Sequence, residues 1–480
     1  MIMEHNIAKK STELNRLKLS LKQNTRIEVK GQDGLLFGNQ GNFFMIENLR
    51  PSAITALKLL ENNQYTKTEL GSIAFEKEGY NGLNHFNLHL DRLEKAGYLA
   101  YTLAEDNTVF CSYEQMTGSA VFCMDKNSQR FRLSKFAFIR REGEHFLLES
   151  ALGQARIFIY DQRILGLISL LSAFTTTEAL SQEEHISGSG LEAFITMLHT
   201  GDFLEFEPVV STPSPEELWS FHDLLFHTRT RYGRHNYNLG ATYRFINRIL
   251  PKKASRGEAG ALAEIYLSVP DPEEMQLSQS LGYCMGQRHS TRTFNGLDLR
   301  LLSILLYRCL HIKGSRPYPV TNAAGDTGEI ETLSAPYPSG GSMYELVFYI
   351  TIYECEGLEP GFYQYNAFEH KLCLLQRKNR DTDTMMWYAR ACTGSEQLPP
   401  AVITFAADFE RMFWKYENMA YAAILKNVGV VFQTLYLVAT DLGLGACAIG
   451  NGNIETLGRL TKKTVLQESS VGEFILGNHQ

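Results

Sequence analysis

Two arginines bracket a serine in the run Arg288-His289-Ser290-Thr291-Arg292-Thr293-Phe294. Guanidinium groups spaced this way, with a hydroxyl between them, offer charge-assisted and neutral donors to a single phosphate. Exposed arginines on a solvated loop make the same pattern with no ligand, so the residues alone leave both readings open. Further along, Pro336-Tyr337-Pro338-Ser339-Gly340-Gly341-Ser342 combines a turn with two residues lacking Cβ. Such backbone can approach a flat ring closely, while the serine and the amides address its polar edge; alone, the run is only a turn. A third run, Gly443-Leu444-Gly445-Ala446-Cys447-Ala448-Ile449-Gly450, reads first as a glycine helix stop followed by a buried strand, with Cys447 a small core residue. The fourth, Trp414-Lys415-Tyr416-Glu417-Asn418, reads as the opening of a long helical stretch from Lys415 to Leu442. A lysine at a helix start opposes the dipole, and dipole and desolvation together would lower its pKa towards that of a useful base. Exposed Lys-Tyr pairs are nevertheless common.

These runs need a frame. From about Leu277 the chain alternates helical runs with strand-like ones, ELVFYITIYEC, FYQYN and AVITFAADF, which predicts an α+β layer. Upstream, one unit is written twice. The first copy has a helix over Pro51–Glu61, a helix start at TKTEL, and a third helix stopped by Gly97 before a strand; the second has a helix over Arg163–Ser172, a start at TTTEAL, and Gly201 in the place of Gly97. Three helices followed by a β-ribbon are the grammar of a winged helix-turn-helix, so two winged-helix-like units are expected, over residues 1–110 and 111–210. The third helices carry few lysines or arginines, which argues against DNA and favours either strand addition of a peptide or plain scaffolding. The segment VVSTPSPEE, Val209–Glu217, reads as a domain boundary, residues 211–276 as a linker or helical segment, and residues 277–480 as the catalytic unit. His222, His227 and His235 lack the spacing of a metal site, and no metal is expected.

Composition closes off other classes. With 480 residues the chain should hold several cores, and its net charge of −7 offers no general attraction to nucleic acid or anionic lipid. The N-terminus lacks an uninterrupted apolar run of the secretory kind, Val428–Val438 is too short for a bilayer span, and the eight cysteines form no zinc spacing. A cytoplasmic protein with reduced thiols is expected.

The motifs in their order resemble a known family. RHSTRTF followed by LDLRLLSILLYRCL resembles the flavin-phosphate motif of nitroreductase-fold flavoproteins, which implies that Arg288, Ser290 and Arg292, and more loosely His289, hold the phosphate and ribityl chain of FMN. PSGG resembles the PSxGG segment of SagB-type dehydrogenases, placing Pro338, Ser339, Gly340 and Gly341 along the isoalloxazine. GLEPGFYQYNAFEHKLCLL is similar to that group's GLxPGxYxYxxxxHxL signature, with Gly357, Pro360, Gly361, Tyr363 and His370 as structural positions. The resemblance also implies that Ala448, Ile449 and Gly450 turn backbone N–H groups to the flavin, and that Lys415-Tyr416 matches the Lys-Tyr pair of azoline oxidases, Lys415 as base and Tyr416 as partner or relay.

From Trp219 onward the chain thus resembles the SagB/McbC-type azoline dehydrogenases of the nitroreductase superfamily, and within them the cyanobactin thiazoline oxidases of the ThcOx type. The resemblance implies an α+β fold with a central, mainly antiparallel sheet flanked by helices, and a homodimer with FMN at its interface. It implies oxidation of peptide thiazolines or oxazolines to azoles with oxygen as electron acceptor, an azoline-containing peptide as substrate, and room for a heterocyclase of the same pathway as partner. An NAD(P)H-dependent FMN nitroreductase and a non-catalytic peptide-binding subunit are the rival readings.

Overall fold

The computed structural model describes residues 17–22, 25–30, 33–37, 43–62, 64–106, 108–117, 120, 122, 129–183, 186–208, 214–257, 260–276 and 278–479. The chain forms two compact units, Met1–Tyr237 and Asn238–Gln480.

In the first unit, a Thr66 capping box with Glu69 opens a helical run over Lys67–Lys95 that breaks at Glu78 and Gly79, so the expected second and third helices meet at a kink. Gly97 takes φ +73° and ends it as expected. Gly201 differs: its φ is −91°, and Asp202 takes the left-handed position instead. A Cβ on Gly201 would lie 2.3 Å from the Phe203 ring, so close packing is what requires that glycine.

The two copies expected at 1–110 and 111–210 are not separate. Strand Thr108–Gln115 pairs with Ala155–Ile159, merging both halves into one seven-stranded sheet over a shared core that runs from Leu17 to Phe203. The expected boundary also shifts. Of Val209–Glu217, residues 209–213 lie outside the described residues, and a short 3-10 turn covers Pro215–Leu218. Helix Phe221–Arg229, expected to lie across a boundary, belongs to the first unit, with Leu224 buried against Phe136 and Ala151. The buried Glu149 carboxylate ties this segment down, accepting from Tyr237 Oη at 2.6 Å, Arg140 Nε at 2.7 Å and Arg229 Nη2 at 3.4 Å.

The second unit begins well before residue 277. Its seven-stranded antiparallel sheet runs in the order Ala263–Tyr266, Lys371–Arg377, Gly361–Asn366, Leu346–Ile352, Ala401–Asp408, Glu468–Asn478, Leu444–Ile449. The three strands predicted from sequence lie within it, and their continuous apolar runs have a simple cause. Phe348, Ile350 and Phe405 face a core shared with helices Leu299–Leu310 and Ala420–Asp441, while Val347, Tyr349 and Ala406 face Arg380–Thr393 and Ile454–Thr461. A sheet covered on both faces reads as an unbroken apolar strand. Helix Ala420–Asp441 is long and apolar enough to reach across a bilayer by length and composition, and it packs Ile424, Val428, Val431 and Leu435 into the core.

Candidate active site

Each candidate run is seated by the fold. The Thr291–Phe294 segment lies on the last two strands because their paired glycines leave room: a Cβ on Gly445 would sit 2.8 Å from Thr291 Cγ2, and one on Gly477 would sit 2.8 Å from Phe294 Cβ. Thr291 N donates to Ala446 O at 2.8 Å and fixes the register.

Around this anchor Arg288, Ser290 and Ala448 converge on Tyr436 of the long helix. Ser290 Oγ lies 3.0 Å from Tyr436 Oη, Ala448 N donates to the same oxygen at 2.7 Å, and the Arg288 guanidinium lies 5.0 Å from the ring centroid. Arg292 Nη1 donates to Ser290 O at 3.4 Å, and His289 is exposed beside Gln287 O at 2.9 Å. Among the described residues neither Arg288 nor Arg292 has a carboxylate partner, which leaves both guanidiniums with donors for an anion. The expected role of the Ala448 amide is altered, since Tyr436 already occupies it. Ile449 packs its side chain into a small core with Phe294, and Gly450 lies exposed beyond the strand.

The glycine run forms a second cluster. Gly340 N donates to Asn427 Oδ1 at 3.1 Å, and Asn427 Nδ2 donates to Ser339 Oγ at 3.2 Å and to Glu345 Oε1 at 2.8 Å. Ser339 Oγ donates to Glu345 Oε2 at 3.1 Å and accepts from Tyr344 N at 3.0 Å. One donor and two acceptor sites are all that a hydroxyl has. The Ser339 side chain is therefore consumed in holding the turn and does not address a ligand as expected; Pro338 lies exposed at its start. Burial pushes the Glu345 carboxyl up from its ordinary pKa.

Three left-handed residues follow: Gly341 at φ +62°, Ser342 at +57° and Tyr344 at +46°. Backbone in that region is strained for residues other than glycine and persists where the surroundings overdetermine it. Arg411, 1% exposed, supplies the restraint, donating through Nε to Met343 O at 2.9 Å and through Nη1 to Lys252 O at 2.7 Å. Four residues on, Lys415 Nζ donates to Gly341 O at 3.0 Å, so one helical face carries both cations onto the glycine run.

Lys415 is placed differently from expectation. It closes the short helix Phe409–Lys415, and the long helix opens only at Ala420. A cation at a helix C-terminus is favoured by the dipole, so the dipole does not lower the Lys415 pKa; burial does. Burial first, then Tyr243 and Glu345, holds the Tyr416 phenol above its ordinary pKa, keeping it neutral.

The two clusters do not close on each other within one chain. Asn427 and Tyr436 are nine residues apart, two and a half turns, so they leave the helix on opposite flanks. Three strand spacings separate Leu346, beside the glycine run, from Ala448; with the offset in register, their backbones are roughly 20 Å apart. Each half fits its part of FMN by donor chemistry, two unpaired guanidiniums with a hydroxyl at one end and a Cβ-free backbone beside an amine at the other. Among the described residues no group of His, Cys, Asp or Glu is arranged to hold a metal.

An α+β sheet covered on both faces by helices, with a basic cradle at its last strands and a glycine run before its central one, defines the architectural class. Comparison with known proteins supplies the family. The nitroreductase family model matches residues 319–476, and the cyanobactin oxidase ThcOx model matches residues 131–236. A nitroreductase-family protein of Methanocaldococcus jannaschii is 30% identical over 190 residues, covering 38% of this chain and 83% of that one. The chain belongs to the nitroreductase family. Among solved structures, a nitroreductase-family protein from Anabaena variabilis covers 73% of this chain and 80% of its own at 16% identity and a TM-score of 0.37. One from Ralstonia eutropha covers 48% and 95% at 20% identity and a TM-score of 0.35. The Escherichia coli microcin synthetase McbBCD complex, with truncated pro-MccB17 bound, covers 53% and 91% at 17% identity and a TM-score of 0.32. The cyanobactin oxidase match falls upstream of every motif that carried the sequence resemblance, and the arginine cradle lies outside both matched segments.

Proposed function

We propose that the chain is an FMN-dependent oxidase that dehydrogenates thiazolines or oxazolines in a peptide to thiazoles or oxazoles, in ribosomal peptide maturation of the cyanobactin kind. The observation that carries this reading is the Lys415 amine, buried, without a carboxylate partner among the described residues, and held against the Gly341 carbonyl. Burial lowers the pKa of this amine from its ordinary value, which shifts it towards the free-base form that proton abstraction requires. The match of residues 131–236 to the cyanobactin oxidase model supports an oxidase over a nitroreductase.

Lys415 takes the proton from the azoline carbon next to the carbonyl, whose C–H bond that carbonyl acidifies. Tyr416, neutral and adjoining, steadies the amine or relays the proton outward. A second hydrogen leaves the neighbouring ring carbon with its electron pair, so the substrate loses two hydrogens and two electrons and becomes aromatic. FMN held by Arg288, Ser290 and Arg292, with His289 at the rim and the Ala448–Gly450 backbone alongside, would supply the acceptor for that pair, with oxygen as terminal oxidant. The reading includes a homodimer in which the cradle of one copy meets the glycine run of the other, since Asn427 and Tyr436 turn the two clusters to opposite flanks of one helix. The first unit would then engage the peptide or a heterocyclase partner, in the cytoplasm, with no role for nucleic acid or membrane.

The test is incubation with an azoline-bearing peptide under air. Mass spectrometry should show a loss of two hydrogens per ring, abolished in Lys415→Ala. Undiminished turnover by that variant removes Lys415 as the base, whereas rapid reduction of the bound flavin by NADPH with no azoline turnover makes the protein a nitroreductase.

A further inference from the structure

A segment that no motif marked forms the third wall around the Lys415 amine. Residues 238–243 run antiparallel to residues 415–418: Ala241 bridges Tyr416, Glu417 N donates to Gly240 O at 3.2 Å, and Asn418 Nδ2 donates to Asn238 O at 2.7 Å. At the end of this strap two successive amides share one acceptor, Thr242 N at 3.0 Å and Tyr243 N at 3.3 Å from Lys415 O. That double grip comes with Tyr243 in the left-handed region, at φ +49°. Bulky side chains seldom adopt it, and strain of this kind gathers where a side chain must be aimed.

The Tyr243 ring is aimed at the amine. Lys415 Nζ lies 6.0 Å from its centroid and 5.3 Å from that of Tyr416. Trp414 backs the ring at 6.1 Å and is itself held by Nε1 donating to Ile249 O at 2.7 Å. At 6 Å the attraction between a cation and a ring is near its limit, so the chief effect of the Tyr243 ring is to keep water from the amine.

We infer that Tyr243 is a positioning residue for the proposed base: its ring, held over Lys415 by the 238–243 strap, keeps water from the amine. The inference rests on the reading of Lys415 as base, yet it can be tested apart from it. Asparagine accepts the left-handed backbone but carries no ring, so Tyr243→Asn separates the ring from the turn.

The full-length protein, as purified, is labelled with trace acetic anhydride across a pH series, and mass spectrometry of the Lys415 peptide reads the titration of that one amine; Tyr243→Phe serves as second variant. In Tyr243→Asn the Lys415 titration should move to higher pH, lowering labelling near neutrality about threefold relative to surface lysines. Tyr243→Phe should retain the wild-type curve, and the rising limb of the azoline pH–rate profile should follow the labelling in both. A Tyr243→Asn curve superimposed on wild type, or a Tyr243→Phe curve displaced as far as the asparagine one, overturns the inference. A displaced labelling curve in a protein that turns over no azoline upholds the role of Tyr243 and refutes the oxidase reading instead.

Discussion

Replacing Asn427 by leucine keeps its branched shape and removes three hydrogen bonds around the glycine run. Gly340 N–H loses its partner, Glu345 loses one of its two side-chain partners, and Ser339 keeps Glu345 and Tyr344. A buried donor left unmade costs about 1–3 kcal/mol, and the weakened carboxyl adds to it, so the variant should lose about 2–4 kcal/mol. For a unit of this size that is a fall in Tm of roughly 10 °C. Asn427→Asp sharpens the test. It keeps an acceptor for Gly340 N–H but sets a second carboxylate against Glu345, whose pKa burial already raises. A carboxyl with a raised folded pKa adds stability below its free-acid value near 4.5, and loses it as pH rises through the folded value. The aspartate variant should therefore sit close to wild type at pH 5 and fall away by pH 8, while the deficit of the leucine variant, which removes the Asn427 bond to Glu345 but adds no charge, should grow less over the same range. Thermal unfolding followed by circular dichroism at both pH values decides it. A leucine variant within about 2 °C of wild type, or an aspartate deficit that does not grow with pH, would refute the reasoning that Asn427 holds the glycine run.

Gly341→Ala places a Cβ 2.4 Å from both Lys415 Nζ and Tyr416 Oη at φ +62°, so azoline turnover should fall by about a hundredfold or more, in proportion to the displaced base; stopped-flow flavin reduction by substrate checks it. Tyr436→Phe leaves the Ala448 amide and the Ser290 hydroxyl without their common partner, costing about 1–3 kcal/mol, and should release flavin on gel filtration that wild type retains. Burial lowers the His370 pKa to about 4, and the ring is bonded to Ser303 and Tyr365. Because the folded value is depressed, its contribution of about 3 kcal/mol is whole above pH 6.5 and fades as pH falls towards 4, so His370→Gln should flatten the acid side of the urea-stability profile. Mixing Arg288→Glu and Lys415→Ala chains, each inactive alone, should restore up to about a quarter of wild-type turnover, since half the dimers are mixed and each holds one intact site; no recovery would place both residues in one site of one chain.

What the sequence shows and hides follows from where each determinant lies. The central strands are legible because both faces are buried, and the RHSTRTF and PSGG runs because their residue types are contiguous. Lys415 is recognisable by type but not by place. No glycine or proline separates it from Ala420, so the apolar pattern reads straight through, and the break comes from Tyr416 pairing with Ala241 across 175 residues of chain. Asn427 and Tyr436 look like incidental polar positions in an apolar helix, and the one available signal was that an asparagine there is a poor helix former. The 221–237 segment reads as a linker because its attachment depends on Arg229 and Tyr237 meeting Glu149, a residue read as part of another unit.

The buried polar groups of the second unit fall into two sorts, and the difference says which of them serve the site. His370 also takes a left-handed backbone, at φ +52°, but its bonds to Ser303 and Tyr365 close a local knot that takes in none of residues 288–292, 339–343 or 415–416. Glu345 and Asn427 instead bond to Ser339, Gly340 and each other, and Arg411 ties Met343 O to Lys252 and Glu331. Replacing such a set by apolar residues of equal volume is often neutral for stability, so stability alone does not account for it. What the set does secure is a carbonyl, that of Gly341, fixed where the Lys415 amine can reach it, with the left-handed strain at Gly341, Ser342 and Tyr344 on one side and at Tyr243 on the other. Strain on both sides of one amine is a cost that only a requirement for its position explains.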